Sequence, residues 1–116
     1  MVNLMCLILQ KSWTIFLSNF KPLRLSDPAK ADLQHIANYT EQQWGNVQKK
    51  HYLALINRSL SSLSELGNIG KKRHDLEVNL YSFCIKKHVV YFREAEHEYC
   101  VLRILHSYMD PESHLL

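Results

Sequence analysis

The sequence predicts an α+β domain with its elements in the order β-α-α-β-β-β, a helical hairpin packed on a small, largely antiparallel sheet. Three observations predict it. Residues 27–66 carry apolar groups at helical spacing, with a break at Gly45. Residues 80–107 are rich in Val, Ile, Phe and Tyr and are split by short polar runs. The chain has 116 residues, enough for one hydrophobic core and short of what two domains need.

The elements follow in chain order. Lys21–Ser26 (KPLRLS) sets Leu23 and Leu25 around Arg24, the alternation of a short strand with Pro22 near its start. Asp27 then reads as a helix N-cap with Pro28 at the first helical position, where a missing N–H costs nothing. Ala29, Leu33, Ile36, Ala37, Thr40 and Trp44 trace one helical stripe. Gly45 can end that helix with a positive φ, and Asn46 can cap the next. In the second helix Tyr52, Ile56, Leu60 and Leu63 form the main stripe, widened by Leu55 and Leu66, and Gly67 stops it. Two amphipathic helices so closely joined make an antiparallel hairpin.

Strands are expected at Leu80–Lys86, His88–Glu94 and Tyr99–Ser107, linked by Lys86–Lys87 and by Ala95–Glu98. Tyr81, Phe83 and Ile85 share a face of the first; in the second, Val90 and Phe92 oppose Val89 and Tyr91. In the third, Cys100, Leu102 and Ile104 alternate with Val101, Arg103 and Leu105. Asp110–Pro111 repeats the cap-plus-proline signature and is expected to open one short helical turn.

Composition excludes several classes. Hydrophobic residues at 47% and charged residues at 22% argue against disorder, and three Gly with three Pro argue against collagen-like or linker-rich chains. Cys6, Cys84 and Cys100 form no CxxC pair, and the seven histidines fall at no metal-ligand spacing, so a reducing cytoplasm is expected and no metal or cofactor. Residues 1–20 are apolar but interrupted by Gln10, Lys11 and Ser12, too short a run for a membrane span. They are read as an extension, with a start codon assigned too far upstream as one explanation, and the domain as residues 21–116. The net charge of +3 is uneven: residues 49–74 carry Lys49, Lys50, Arg58, Lys71, Lys72 and Arg73 against Glu65 alone. That suits an acidic partner or a solvated helix face, and is too little for direct DNA binding.

Enzyme templates are missing: no Gly-rich phosphate loop, no GxSxG elbow, no paired-carboxylate motif. What remains is Lys86, Lys87, His88, Arg93, Arg103, His106 and Tyr108. Cleavage of RNA through its 2′-hydroxyl needs a base, an acid and a cation beside the phosphate, and Arg93, Arg103 and His106 would be the set. The same side chains also fit cross-strand pairing of the arginines with Glu94, Glu96 or Glu98 and a half-buried, hydrogen-bonded His106.

The run RLSDPAKADLQHIANYTEQQWGNVQKKHY, the strand HVVYFRE and the ending RILHSYMDPESHL resemble the ParE toxins of bacterial type II toxin–antitoxin systems. The resemblance covers residues 21–116 and implies a small cytoplasmic toxin, held inactive in a hetero-oligomer by a cognate, ParD-like antitoxin. It also implies binding to and inhibition of DNA gyrase, with no catalytic residue and no cofactor. The alternatives it leaves are the ribosome-dependent messenger-RNA cleavage of the related RelE branch, and an inactive remnant. Target-contact candidates are Lys86, Lys87, Arg103, His106 and Tyr81; candidates for the antitoxin groove or hairpin junction are Tyr39, Trp44 and Tyr52. An antitoxin segment is expected to lay apolar groups between hairpin and sheet and to add a strand at an exposed edge. The chain departs from the family where Gly, a hydrophobic residue and Arg often enter the second strand: it has Asn79, Leu80 and Tyr81. Lys86 stands where a second family glycine is common. If that arginine meets the target, Tyr81 weakens the toxin; if it serves the sheet edge, its loss is tolerated.

Overall fold

The structure is a computed structural model that describes residues 21–115. The N-terminal extension lies outside the described residues. Ser26, not Asp27, caps the first helix: its Oγ accepts the Ala29 N–H at 3.1 Å and donates to the Leu102 carbonyl at 2.7 Å. One hydroxyl thus satisfies an orphan helical N–H and a sheet carbonyl together. Strand β1 (Leu23–Leu25) ends against this cap, and helix α1 runs Asp27–Trp44. Gly45, at φ 91°, closes α1 by donating to the Glu41 carbonyl at 2.9 Å, and helix α2 (Asn46–Leu66) begins at once. Asn46 is already the first residue of α2, whose cap position is Gly45 and carries no side-chain cap.

The sheet has five strands in the order β1-β5-β4-β3-β2, with β2 at Lys71–Lys72, β3 at Leu80–Ile85, β4 at His88–Glu94 and β5 at Tyr99–His106. β1 pairs with β5 in parallel and the other pairings are antiparallel. The two-residue β2 was not expected, since two exposed lysines carry no apolar alternation. A short helix α3 (Pro111–Leu115) follows, with Asp110 accepting the Glu112 N–H at 3.1 Å as its cap.

Apolar residues on α1, α2 and one sheet face form the main core: Leu33, Ile56, Leu60, Val90, Phe92, Tyr99 and Val101 are all buried in it. A smaller cluster of Leu80, Tyr91 and Leu105 lies on the other face, with Leu76 and Leu115 packed on it. So both faces of the sheet carry apolar groups, as the β4 sequence implies. In β5 the simple alternation fails. β4 advances one residue between Tyr91 and Phe92 while β5 goes from Arg103 to Val101, leaving Leu102 as the extra residue of a bulge. The bulge puts Val101 and Ile104 in the main core together and leaves Leu102 on the far face.

The stripe reading also overreached at both helix ends. Trp44 is 70% exposed and Leu66 is 74% exposed, because each is the last residue of its helix, beyond the neighbours that bury the stripe. Leu53, outside the stripe read from sequence, is buried. Lys86 in the β3–β4 turn has φ 54° and Asn79 before β3 has φ 65°. Both positions that often carry glycine in the family therefore demand a positive φ, which asparagine tolerates better than lysine does. Lys86→Gly is expected to raise stability by about 1 kcal/mol in urea unfolding, and Asn79→Gly to change it by a few tenths.

Candidate functional site

The β3–β4 turn and the end of β5 come together. His88 opens β4 and stands directly opposite His106 on β5, with ring centroids 5.3 Å apart. The Ser107 N–H donates to the Lys87 carbonyl at 2.8 Å, tying the turn to the strand end. Tyr108, 91% exposed, stacks on His106 at 4.7 Å. Of the target-contact candidates, Lys86, Lys87 and His106 therefore share one end of the sheet, and His88 and Tyr108 complete the cluster.

Hydrogen bonds engage Nδ1 of both imidazoles. Tyr52 Oη donates to the Ile85 carbonyl at 3.1 Å and lies 2.5 Å from His88 Nδ1. Which of the two groups donates in that short bond follows from the His88 tautomer. The Tyr108 N–H donates to His106 Nδ1 at 3.2 Å, so neutral His106 keeps its proton on Nε2. Burial pushes the Tyr52 hydroxyl up, partly offset by a backbone hydrogen bond from Lys87. Burial, with His106 nearby, pulls His88 down to about 4.

That shift predicts an acid-labile joint. The unfolded chain, with His88 near 6.5, binds more protons than the folded one between pH 6.5 and 4. The contribution is complete above about pH 6.5 and is lost as pH falls toward 4. Half-exposure screens the effect, leaving about 1–2 kcal/mol. Urea unfolding across that range should show the loss, and His88→Gln should flatten it.

The remaining candidates go elsewhere. Arg103 turns into the domain: Nε and Nη2 each donate to Asp32 at 2.8 Å, and Nη1 donates to the His114 carbonyl at 3.1 Å. Asp32, 8% exposed, also accepts the Ile104 N–H at 2.9 Å. This bidentate pair holds the Arg103 guanidinium above its ordinary range. Arg93 pairs with Glu77 and sits opposite Cys100, at the far end of β4 from His88. So Arg93, Arg103 and His106 do not converge, and neither arginine pairs with Glu94, Glu96 or Glu98. Tyr81 lies within β3, stacked on Phe92 at 5.7 Å and half-buried against the main core, away from the turn. Tyr39 is 62% exposed and, like Trp44, lies outside the core; Tyr52 is half-buried at the joint described above.

Asp32 had drawn no functional expectation. The one signal in the sequence was a carboxylate flanking the apolar stripe, beside Leu33. Among the described residues no group of three or more His, Cys, Asp or Glu side chains could hold a metal ion. No helix among them is long and apolar enough to cross a membrane.

Comparison with known proteins adds three findings. Residues 23–111 match the family model described as the ParE toxin of the type II toxin–antitoxin system parDE. The chain is 33% identical over 95 residues to Toxin ParE1 of Caulobacter vibrioides, covering 82% of this chain and 98% of that protein. In fold it is similar to a solved structure of the chromosomal ParDE system from P. aeruginosa, with a TM-score of 0.64 and 21% identity over 72% of this chain and 92% of that one.

Proposed function

The chain belongs to the ParE toxin family of type II toxin–antitoxin systems, and from that premise we propose that it arrests growth by binding DNA gyrase and is neutralised by a cognate antitoxin. The observation that carries a binding mode over a catalytic one is the fate of the two arginines. RNA cleavage would need them free beside one phosphate, yet Arg103 is committed to Asp32 and Arg93 to Glu77. What the sheet end offers instead is a set of polar and aromatic groups, the exposed Lys86, Lys87 and Tyr108 beside a half-buried His106, suited to meeting a protein surface.

The expected result is loss of supercoiling by purified gyrase in the presence of this protein, with growth arrest on expression. Full supercoiling at large molar excess of folded protein would overturn the gyrase assignment. Transcripts in a translating extract containing the protein should stay intact. Substituting Lys86, Lys87 and Tyr108 together with alanine should weaken inhibition at least tenfold and leave the melting temperature within a few degrees, since all three are exposed.

A further inference from the structure

The helical hairpin is longer than the sheet beneath it. Two contacts fix how α2 lies along β4. Tyr52 meets His88 at the start of the strand, and Ser64 Oγ donates to the Lys21 carbonyl at 2.6 Å, with Lys21 Nζ 3.0 Å from Glu94 at its end. The helix rises about 18 Å from Tyr52 to Ser64, and the strand spans about 20 Å from His88 to Glu94. The two therefore run side by side, and the start of α2, from Asn46 to Tyr52, overhangs the sheet end by about 9 Å. α1 agrees. Asp32 accepts the Ile104 N–H, Trp44 lies about 18 Å further along the axis, and β5 ends at His106, about 7 Å past Ile104. The overhanging tip is braced across its turn, where Lys49 Nζ donates to Glu41 Oε2 at 2.9 Å. Trp44 stands one turn beyond the buried Thr40, on the helix face that meets the sheet. Past the sheet end nothing among the described residues covers that face, and Trp44 is 70% exposed. Trp44 is thus one wall of a notch. The His106–Tyr108 stack and the His88 ring make its floor, and the exposed Lys86 and Lys87 its rim.

We infer that this notch, with Trp44 as its anchor, seats a projecting segment of the target protein, an apolar side chain flanked by carboxylates. The inference rests on the gyrase reading above. The faces of Trp44 and Tyr108 suit an apolar or aromatic side chain, and Trp and Tyr are the residue types that dominate protein–protein contacts. Charge selects the flanks. Neither Lys86 nor Lys87 has a carboxylate within ion-pair distance among the described residues. Glu41 in the tip is paired with Lys49, and Asp110 after the strand caps α3, so the free charge around the notch is positive. A second copy of this chain would bring the same lysine pair to a twofold contact, where like charges repel. The brace between Glu41 and Lys49 holds the tip in place before binding, so little ordering remains to oppose association.

The test uses the full chain and purified gyrase. Trp44→Ala should raise the concentration for half-inhibition of supercoiling at least tenfold, with an unchanged melting temperature and unchanged co-purification with the antitoxin. Trp44→Phe, which keeps an aromatic face, should recover most of the inhibition. Val78→Ala is the control: equally exposed, it precedes Leu80, which pairs with Arg93 at the opposite end of β4, and should change nothing. Added salt should weaken the wild type more than Lys86→Gln with Lys87→Gln. In hydrogen exchange, the Val47 and Gln48 amides, which lack intrahelical partners in the first turn of α2, should gain protection on gyrase together with Ser107–Met109. A folded Trp44→Ala variant that inhibits like the wild type, or protection confined to the sheet end, overturns the inference while leaving the gyrase reading intact. Full inhibition with lost antitoxin binding assigns the tip to the antitoxin and also overturns it. If the wild type leaves supercoiling untouched, the gyrase reading fails and growth arrest on expression becomes the readout. Loss of arrest in folded Trp44→Ala then keeps the notch as the seat of another target, and full arrest overturns it. No arrest by the wild type overturns both.

Discussion

Replacing Asp32 with alanine is expected to destabilise the domain by about 3 kcal/mol, measured as a lower urea midpoint at unchanged slope. The carboxylate serves three donors at once, Arg103 Nε, Arg103 Nη2 and the Ile104 N–H. Its removal strands a guanidinium whose side chain is 23% exposed, and orphans a sheet amide. Asp32→Asn keeps an acceptor for the amide and should cost roughly half as much. Replacing the pair with Leu and Met removes the stranded charge and should be less damaging than alanine alone. A cycle in which the two single substitutions simply add would refute the coupling. A second readout is local: Arg103 also binds the His114 carbonyl, so the amides of α3 should exchange faster in Asp32→Ala.

The Asp32–Arg103 pair marks where reading the sequence reaches its limit. Local rules located the hairpin and four of the five strands, because apolar spacing, Gly45 and the alternating or β-branched runs are all short-range signals. They carried the helix stripe as far as Thr40 and then misjudged Trp44, since periodicity states which way a residue faces and not whether anything lies there. They misplaced the first cap by one residue, choosing between Ser26 and Asp27, which are both good caps, without knowing that the Leu102 carbonyl waits beside Ser26. The bulge at Leu102 leaves no trace in an apolar strand whose two faces are both buried. Asp32 and Arg103 stand 71 residues apart, so no spacing rule joins them. The site shows the same division. Lys86, Lys87 and His106 were legible as a group because the turn and the strand end are local, whereas Arg93 and Arg103 were grouped with them by chemistry alone.

These corrections bear on how the sheet is bordered. In β5, the bulge, Ser26 and Asp32 close one border of the sheet, and the tail α3 is tied to the same strand through Arg103. The opposite border is left short by β2. Among the described residues, the two borders of the sheet are therefore closed unequally.

Gly70→Ala carries the second large effect, about 3 kcal/mol of destabilisation, because that residue sets where β2 stops. A Cβ there would fall 2.6 Å from Phe92 Cζ and 2.7 Å from Cε1, with Tyr81 Cβ at 3.1 Å. The Phe92 ring is fully buried and held by Tyr81, Phe83 and Tyr99 at centroid distances of 5.7, 5.8 and 5.7 Å, so it has little room to withdraw. The loop cannot move away freely either, since the Gly70 N–H donates to Asn68 Oδ1 at 2.9 Å and Asn68 Nδ2 donates to Glu94 at 2.8 Å. Asn68 and Lys21 together hold the Glu94 carboxyl below its usual range, which marks this corner as a set of mutually supporting contacts. Phe92→Leu alone should cost about 1–2 kcal/mol from lost packing. Combined with Gly70→Ala it should cost less than the sum, because the shorter side chain vacates the space the new methyl needs. Additive losses would instead place the strain in the backbone at residue 70. If the clash is relieved by displacing the loop, exchange at Lys71, Lys72 and Arg73 should rise with it. The outer strand would then come off the sheet while the hairpin and β3–β5 remain protected.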